Sequence, residues 1–151
     1  LEELKKRPGI IITARVHPGE SNSSFMMRGI LKFLVSDTPE GEALRDSFVF
    51  KLVPMLNPDG VINGNYRCSL AGVDLNRRYH RPSVHLHPTI NAIKRLINRT
   101  KETRGVLLYL DLHGHSRKKN VFLYGCDNSS LPVDQRLVPR VFPRMLSKEP
   151  S

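Results

Sequence analysis

Ala14-Arg15-Val16-His17-Pro18-Gly19-Glu20-Ser21 follows directly on an apolar run at residues 10–12, and this stretch decides the fold. The run predicts a buried strand that delivers His17 to its carboxyl end, where proline and glycine predict a turn. Because His17 precedes a proline, its backbone is restricted to extended geometry and does not begin a helix. The turn can therefore direct His17 and Glu20 at a common point. An imidazole and a carboxylate are two of the three protein ligands in zinc sites of the two-histidine, one-glutamate type.

A second strand end offers the third ligand. Asp111-Leu112-His113-Gly114-His115 follows an apolar run at residues 106–110. In open α/β sheets, sites form outside the carboxyl ends of the strands. A single His-x-x-Glu pair also arises by chance, but two such strand ends together favour a metal site.

Strands and helices alternate along the rest of the chain, which predicts a single α/β layer structure. Apolar residues at helical spacing predict a helix that begins near the N-cap candidates Ser21, Asn22 and Ser23 and runs to about Val35. Residues 57–88, rich in Asn, Gly, Pro and Arg, are predicted to be a long functional loop. The other predicted elements are a short helix at 41–47, strands at 48–53, 105–112 and 121–124, a helix opened by Pro88, and a helical segment at 133–146 shortened by Pro139 and Pro143.

The composition is that of a globular protein with a strong positive charge. Hydrophobic residues make up 39%, and 24 Lys and Arg against 14 Asp and Glu give a net charge of +10. Such a charge fits a solvated basic surface, or a nucleic acid or an acidic protein as partner; between the two partners, the absence of a nucleic-acid-binding motif favours the protein. No apolar run approaches the roughly 18–20 residues that span a bilayer, so no membrane segment is expected. The two cysteines have no paired spacing and fit a reducing compartment.

The long loop carries a second group of polar residues. Asn57-Pro58-Asp59-Gly60 is by itself a turn sequence. The guanidinium of an arginine grips a carboxylate through two parallel hydrogen bonds. A loop that carries Arg67, Asn76 and Arg77 beside a zinc site would suit recognition of a C-terminal carboxylate, and a solvated basic loop is the alternative. The loop histidines are expected to be solvated or to anchor the loop: His80, His85 and His87.

Taken together, these motifs resemble the zinc metallocarboxypeptidases of peptidase family M14, and most closely their cytosolic carboxypeptidase branch. The resemblance runs in order, at compatible spacing, from about residue 10 to residue 126. The motifs that carry it are Arg15-Val16-His17-Pro18-Gly19-Glu20, Pro54-Met55-Leu56-Asn57-Pro58-Asp59-Gly60, Gly64-Asn65-Tyr66-Arg67-Cys68-Ser69-Leu70, Asp74-Leu75-Asn76-Arg77 and Asp111-Leu112-His113-Gly114-His115-Ser116-Arg117-Lys118-Lys119-Asn120.

The resemblance implies a ligand set for one zinc ion per chain. His17, Glu20 and His113 would bind the ion, and Asp74 would orient His17 through its other ring nitrogen. By the same resemblance, His115 lines the neighbouring subsite and is not a ligand.

The resemblance also implies how a peptide substrate is handled. Arg67 would polarise the scissile carbonyl and stabilise the oxyanion that forms from it. Asn76 and Arg77 would hold the terminal carboxylate of the substrate, which makes the enzyme an exopeptidase.

In the family, a glutamate general base and a closing tyrosine lie well downstream of the third ligand. Glu149 is the only late glutamate in this chain and is not an acceptable base. We therefore expect residues 1–151 to be the N-terminal part of a single catalytic domain with an incomplete mixed sheet, and to hydrolyse little alone.

Members of the branch are similar in removing glutamates from protein C termini or side chains, notably on tubulin. The resemblance thus implies acidic, glutamate-rich protein tails as partners, and a cytoplasmic, microtubule-associated location. Three alternatives stay open: a non-catalytic module that binds zinc or peptide, a zinc amidohydrolase of the aspartoacylase type, and a basic nucleic-acid binder. Pro18 and the Asn-Pro-Asp-Gly block speak against the amidohydrolase.

Overall fold

Within the part of the chain that the structure describes, three parallel strands form one sheet. The computed structural model describes residues 6–148. Strands β1 (Gly9–Ala14), β2 (Val49–Val53) and β3 (Val106–Leu112) pair in the order β2-β1-β3. All six residues of β1 are buried, as expected for a central strand that is covered on both faces.

Helices connect the strands, because a chain that returns parallel to itself needs a crossover. Helices α1 (Ser21–Leu34) and α2 (Pro39–Ser47) join β1 to β2. A short helix α3 (Pro58–Ile62), one 3₁₀ turn (Leu75–Arg77) and the long helix α4 (Pro88–Arg104) lie between β2 and β3. The predicted α/β class is confirmed.

The core has two parts, one for each group of alternating side chains on the central strand. Ile11 packs in a cluster with Ile90 and Ile93 of α4. Ile10 and Ile12 pack in a second cluster that includes α1 residues. Successive side chains of a strand point to opposite faces, so one apolar run supplies both layers.

Two local predictions about helix starts need correction. The N-cap of α1 is Glu20, one residue before the predicted serines and asparagine, and the Ser23 hydroxyl donates to the Glu20 carbonyl oxygen at 2.7 Å. The Asn-Pro-Asp-Gly block starts helix α3 and is more than a turn. Asn57 is its N-cap and accepts from the Gly60 N–H at 3.0 Å, while Pro58 takes the first helical position.

The predicted fourth strand at residues 121–124 is wrong. These residues are irregular, and Val121 and Tyr124 are 79% and 76% exposed. The rings of Phe122 and Tyr124 pack on each other and under the ammonium group of Lys118, so local contacts replace strand pairing. The resemblance implied a mixed sheet, whereas the strands formed by residues 6–148 are all parallel.

Among the described residues, 117–148 form a compact unit distinct from 6–116. This unit contains helices α5 (Val133–Arg136) and α6 (Val138–Leu146). The predicted helical segment is therefore divided at Leu137, and Pro139 occupies the first turn of α6. Across residues 6–148, no helix combines the length and apolarity that a membrane crossing requires.

Candidate metal centre

The turn after β1 begins with an unusual backbone conformation. Arg15 has a φ of 57°, in the left-handed region that non-glycine residues seldom adopt. Its guanidinium holds the turn that this conformation creates, since Nε donates to the Pro18 carbonyl oxygen at 2.7 Å and Nη1 donates to Ser24 Oγ at 2.8 Å. His17, between these contacts, is buried.

The long loop lies against this turn without space between them. The Gly19 N–H donates to the Tyr66 carbonyl oxygen at 2.7 Å, and a Cβ on Gly19 would lie 2.5 Å from the Tyr66 ring. A Cβ on Gly60 would lie 2.5 Å from Pro18. Glycine is therefore required at both positions by close approach, which explains why the two motifs carry it.

Both histidines and the glutamate meet at one point. His17 Nδ1 lies 2.8 Å from Glu20 Oε1, and His113 Nδ1 lies 3.2 Å from Glu20 Oε2. One potential ligand atom from each residue falls within 4.8 Å of the others, and the two ring centroids are 5.1 Å apart. The Gly114 N–H also donates to Glu20 Oε2, at 2.7 Å. Among residues 6–148, this is the one group of three potential ligands.

An aspartate lies behind each histidine. His17 Nε2 is 3.1 Å from Asp74 Oδ1, and His113 Nε2 is 2.8 Å from Asp111 Oδ2. A carboxylate accepts a hydrogen bond from the ring nitrogen that carries the proton, so in a neutral ring it leaves the other nitrogen free to bind a metal. With the proton on Nε2, toward the aspartate, each ring would leave Nδ1, which faces Glu20, free to bind a metal.

Sequence reasoning placed Asp74 in this group and missed Asp111. The signal for Asp111 was present, because residues two apart on a strand point to the same face. Thr13 is the register partner of Asp111 across the sheet, and its hydroxyl donates to Asp111 Oδ1 at 2.6 Å. Further hydroxyls continue this arrangement: Tyr109 Oη lies 3.1 Å from Thr13 Oγ1, and Tyr79 Oη lies 3.2 Å from Tyr109 Oη.

The surroundings shift the proton affinities of the site. The hydrogen bond to Asp111 raises the pKa of His113; burial opposes this, and the charges of Asp111 and Glu20 add to the rise. Burial raises the pKa of Asp74, but hydrogen bonds from the Asn76 N–H and from His17, with the nearby charge of Arg67, outweigh burial and lower it.

The predicted substrate-binding residues lie beside Asp74. Nε and Nη2 of Arg67 lie 2.9 and 2.8 Å from Asp74 Oδ2, and the Asn76 N–H donates to Asp74 Oδ1 at 2.8 Å. Arg77 is exposed, and its Nη1 donates to the Asn76 carbonyl oxygen at 3.4 Å. The structure thus joins Arg67 to the ligand cluster through Asp74 and leaves the Arg77 guanidinium accessible.

The other predicted residues are not members of the ligand group. His87 is buried as the N-cap of α4, where its Nδ1 accepts from the Ser83 N–H at 2.9 Å, so it anchors the loop. His80 and His85 are exposed. His115 is also exposed and is not in the ligand group. Glu149 lies outside the described residues.

Comparison with known proteins shows the family of this chain. The family model described as "Zinc carboxypeptidase" matches residues 2–148. The chain therefore belongs to the zinc carboxypeptidase family.

The similar proteins are much longer than this chain. Mouse "Cytosolic carboxypeptidase 3" is 56% identical over 145 residues, which cover 95% of this chain and 14% of the relative. Mouse "Cytosolic carboxypeptidase 4" is 60% identical over 127 residues, which cover 83% of this chain and 11% of the relative. Zebrafish "Cytosolic carboxypeptidase 2" is 53% identical over 148 residues, which cover 98% of this chain and 20% of the relative.

Solved structures share the fold. A metallo-carboxypeptidase from Burkholderia cenocepacia aligns with a TM-score of 0.66 and 33% identity, over 72% of this chain and 29% of that one. A metallo-carboxypeptidase from Pseudomonas aeruginosa, in complex with (2-guanidinoethylmercapto)succinic acid, aligns with a TM-score of 0.66 and 34% identity, over 73% of this chain and 28% of that one.

Proposed function

We propose that this chain supplies the zinc-binding and carboxylate-binding part of a metallocarboxypeptidase that removes glutamates from the C termini or side chains of acidic proteins such as tubulin. The convergence of His17 Nδ1, His113 Nδ1 and the Glu20 carboxylate carries the proposal. One zinc ion per chain is the proposed cofactor.

The donor set fits zinc. Two imidazole nitrogens and one carboxylate are the protein ligands of one type of catalytic zinc site. Each imidazole has an aspartate on its far nitrogen, which is the outer arrangement common to metal-binding histidines. Zinc bound there would supply Lewis acidity for polarising a carbonyl and activating water.

The residues around Asp74 would select a chain end. Asn76 and Arg77 lie in one 3₁₀ turn, and the exposed guanidinium of Arg77 is free to approach a carboxylate from solvent. Arg67 is oriented by Asp74 and is 45% exposed. It would donate to the developing oxyanion of the substrate carbonyl. A carboxylate clamp beside the ligand cluster supports exopeptidase specificity over internal cleavage.

The charge of the chain supports an acidic substrate. A net charge of +10 attracts glutamate-rich tails and raises their rate of encounter. Relatives named as cytosolic carboxypeptidases support a cytoplasmic location, where microtubules would supply such tails.

Zinc analysis of single variants tests the proposal. We expect about one zinc per wild-type chain after dialysis, and little or none in His17→Ala or His113→Ala, because each variant removes a ligand. His80→Ala is the matched control, since His80 is exposed and its main-chain oxygen, which alanine keeps, accepts from Lys94 Nζ at 3.2 Å. Equal zinc content in all four proteins would contradict the proposed site.

Substrate preference is tested on a protein of the length of the matched relatives. Peptides that end in Glu, Gln or Lys separate charge from size at the released residue. We expect release of glutamate to be fastest and to slow as ionic strength rises, because salt screens the attraction. Equal rates for Glu and Lys would contradict glutamate specificity and leave the zinc site unaffected.

A further inference from the structure

We propose that Asp111, fixed by the buried Thr13 hydroxyl, is a positioning residue that holds the His113 ring with Nδ1 toward the ligand point. The inference rests on the proposed zinc site and adds two residues to it. Neither residue is a ligand, and each would act only through His113.

The sheet itself creates this pair. Thr13 on β1 and Asp111 on β3 are register partners, so their side chains meet on the same face. Asp111 and His113 are two residues apart, at the point where β3 ends, and the ring lies beside the carboxylate. Asp111 can therefore use one oxygen for Thr13 and the other for His113.

Thr13 is the polar exception in an apolar strand. It follows three isoleucines and has 0% exposure. A buried hydroxyl is unfavourable unless it is hydrogen-bonded, and its partners here are Asp111 Oδ1 and the Tyr109 hydroxyl. A valine of the same shape would fill this position but could not make these hydrogen bonds.

The hydrogen bonds select one form of the neutral ring. Asp111 Oδ2 and Glu20 Oε2 can both only accept, but Asp111 is nearer its ring nitrogen, at 2.8 against 3.2 Å, and Glu20 Oε2 already accepts from the Gly114 N–H, so a proton on His113 Nε2 is favoured. The lone pair is then on Nδ1, on the side of Glu20. Without Asp111, the ring would distribute its proton between the two nitrogens and lose its fixed orientation.

Zinc affinity is the first readout. We expect Asp111→Ala to raise the zinc dissociation constant about 10- to 100-fold, the usual cost of losing an outer partner of a metal ligand. Thr13→Val should raise it about 2- to 10-fold, because one hydrogen bond to the carboxylate is lost. Thr100→Val is the matched control: Thr100 is also buried, but its hydroxyl bonds to its own helix at Leu96. It should bind zinc like the wild type.

The proton position on His113 is the second readout, measured by ¹⁵N NMR of the zinc-free chain at a pH where the ring is neutral. We expect the Nε2–H form in the wild type and a mixture in Asp111→Ala. An unchanged dissociation constant or an unchanged proton position in a folded Asp111→Ala would overturn the inference. If that variant does not fold, Thr13→Val decides: zinc binding no weaker than in Thr100→Val overturns the inference.

The outcomes separate this inference from the proposed function. If His113→Ala retains zinc, the proposed site is wrong. If His113→Ala loses zinc and Asp111→Ala binds normally with the same proton position, only the positioning role is wrong.

Discussion

The two histidines occupy matching positions but are supported by different kinds of structure. His17 is 5% exposed, and its aspartate comes from a distant loop and is paired with the half-exposed Arg67. His113 is 30% exposed, and its aspartate comes from the end of β3, directly before it, and is bonded to the buried Thr13. One support is an ion pair on a loop, and the other is a hydrogen bond inside the sheet.

This difference indicates a division of roles. A loop residue with an accessible guanidinium can bind substrate as well as support a ligand, whereas a buried hydroxyl can only support. We therefore expect changes on the His17 side to affect catalysis, and changes on the His113 side to affect metal binding alone. The following predictions test that division, from the largest expected effect to the smallest.

Replacing Arg67 should have the largest effect. In a protein of the length of the matched relatives, we expect Arg67→Ala to lower kcat about 10²- to 10³-fold, because an oxyanion donor is lost. Its zinc affinity should fall by less than about 10-fold, since Arg67 reaches His17 only through Asp74. Steady-state kinetics on zinc-saturated enzyme and a chelator competition assay measure the two quantities. Equal losses in both would contradict the division of roles.

Replacing Glu20, whose carboxylate contacts both His17 and His113, should have the next largest effect. Glu20→Gln keeps the shape of the side chain but removes the anionic ligand, so we expect zinc affinity to fall about 100-fold or more, beyond the effect of an outer partner. Chelator competition measures the change. Glu102→Gln, on an exposed position of α4, is the control and should bind zinc normally. A loss smaller than that of Asp111→Ala would argue against Glu20 as a ligand.

A change that disturbs only the His17 side should reduce stability. Gly19→Ala would bring a Cβ to 2.5 Å from the Tyr66 ring and 2.8 Å from its carbonyl oxygen. We expect a loss of about 1–3 kcal/mol in the free energy of unfolding, measured by urea titration. Gly29→Ala is the control, because nothing lies within 4 Å of the added Cβ in α1, and it should stabilise the protein by about 0.5–1 kcal/mol. Equal free energies of unfolding for the two variants would show that the turn shifts to make room for the methyl group at residue 19.

The smallest effect should come from replacing Tyr109, whose hydroxyl lies between those of Thr13 and Tyr79. Tyr109→Phe removes the group that joins Thr13 to Tyr79, but Thr13 still donates to Asp111. We expect zinc affinity to stay within about 2-fold of the wild type, since the bond to the carboxylate is kept. A loss as large as that of Thr13→Val would show that the hydroxyls act as one unit.

Much of the architecture could be predicted from the sequence because the strands are short apolar runs with clear ends. The runs before His17 and His113, and the helix opened by Pro88, form as the pattern indicates. The run at 121–124 has the same character but is irregular. A strand needs a partner to bond with, and composition does not reveal whether one is present.

The residues of the candidate site could also be predicted only in part. Asp111 could have been read from its spacing to His113, because alternation on a strand fixes which side chains are neighbours. Asp74 is 57 residues from His17, and only a resemblance to a known family pointed to it. No rule of spacing reaches across an irregular loop, and the pairing of Arg67 with Asp74 is visible only in three dimensions.

The close fit between the turn after β1 and the long loop has a consequence for how the molecule is made. The amide of Asn57 donates to the carbonyl oxygen of Val16, 41 residues earlier, and Glu20 contacts His113, 93 residues later. Contacts between such distant segments form late, because long loops must close first. A chain emerging from the ribosome thus carries His17 and Glu20 well before β3 brings His113 beside them, so the proposed metal ion could meet all three residues only after β3 has joined the sheet.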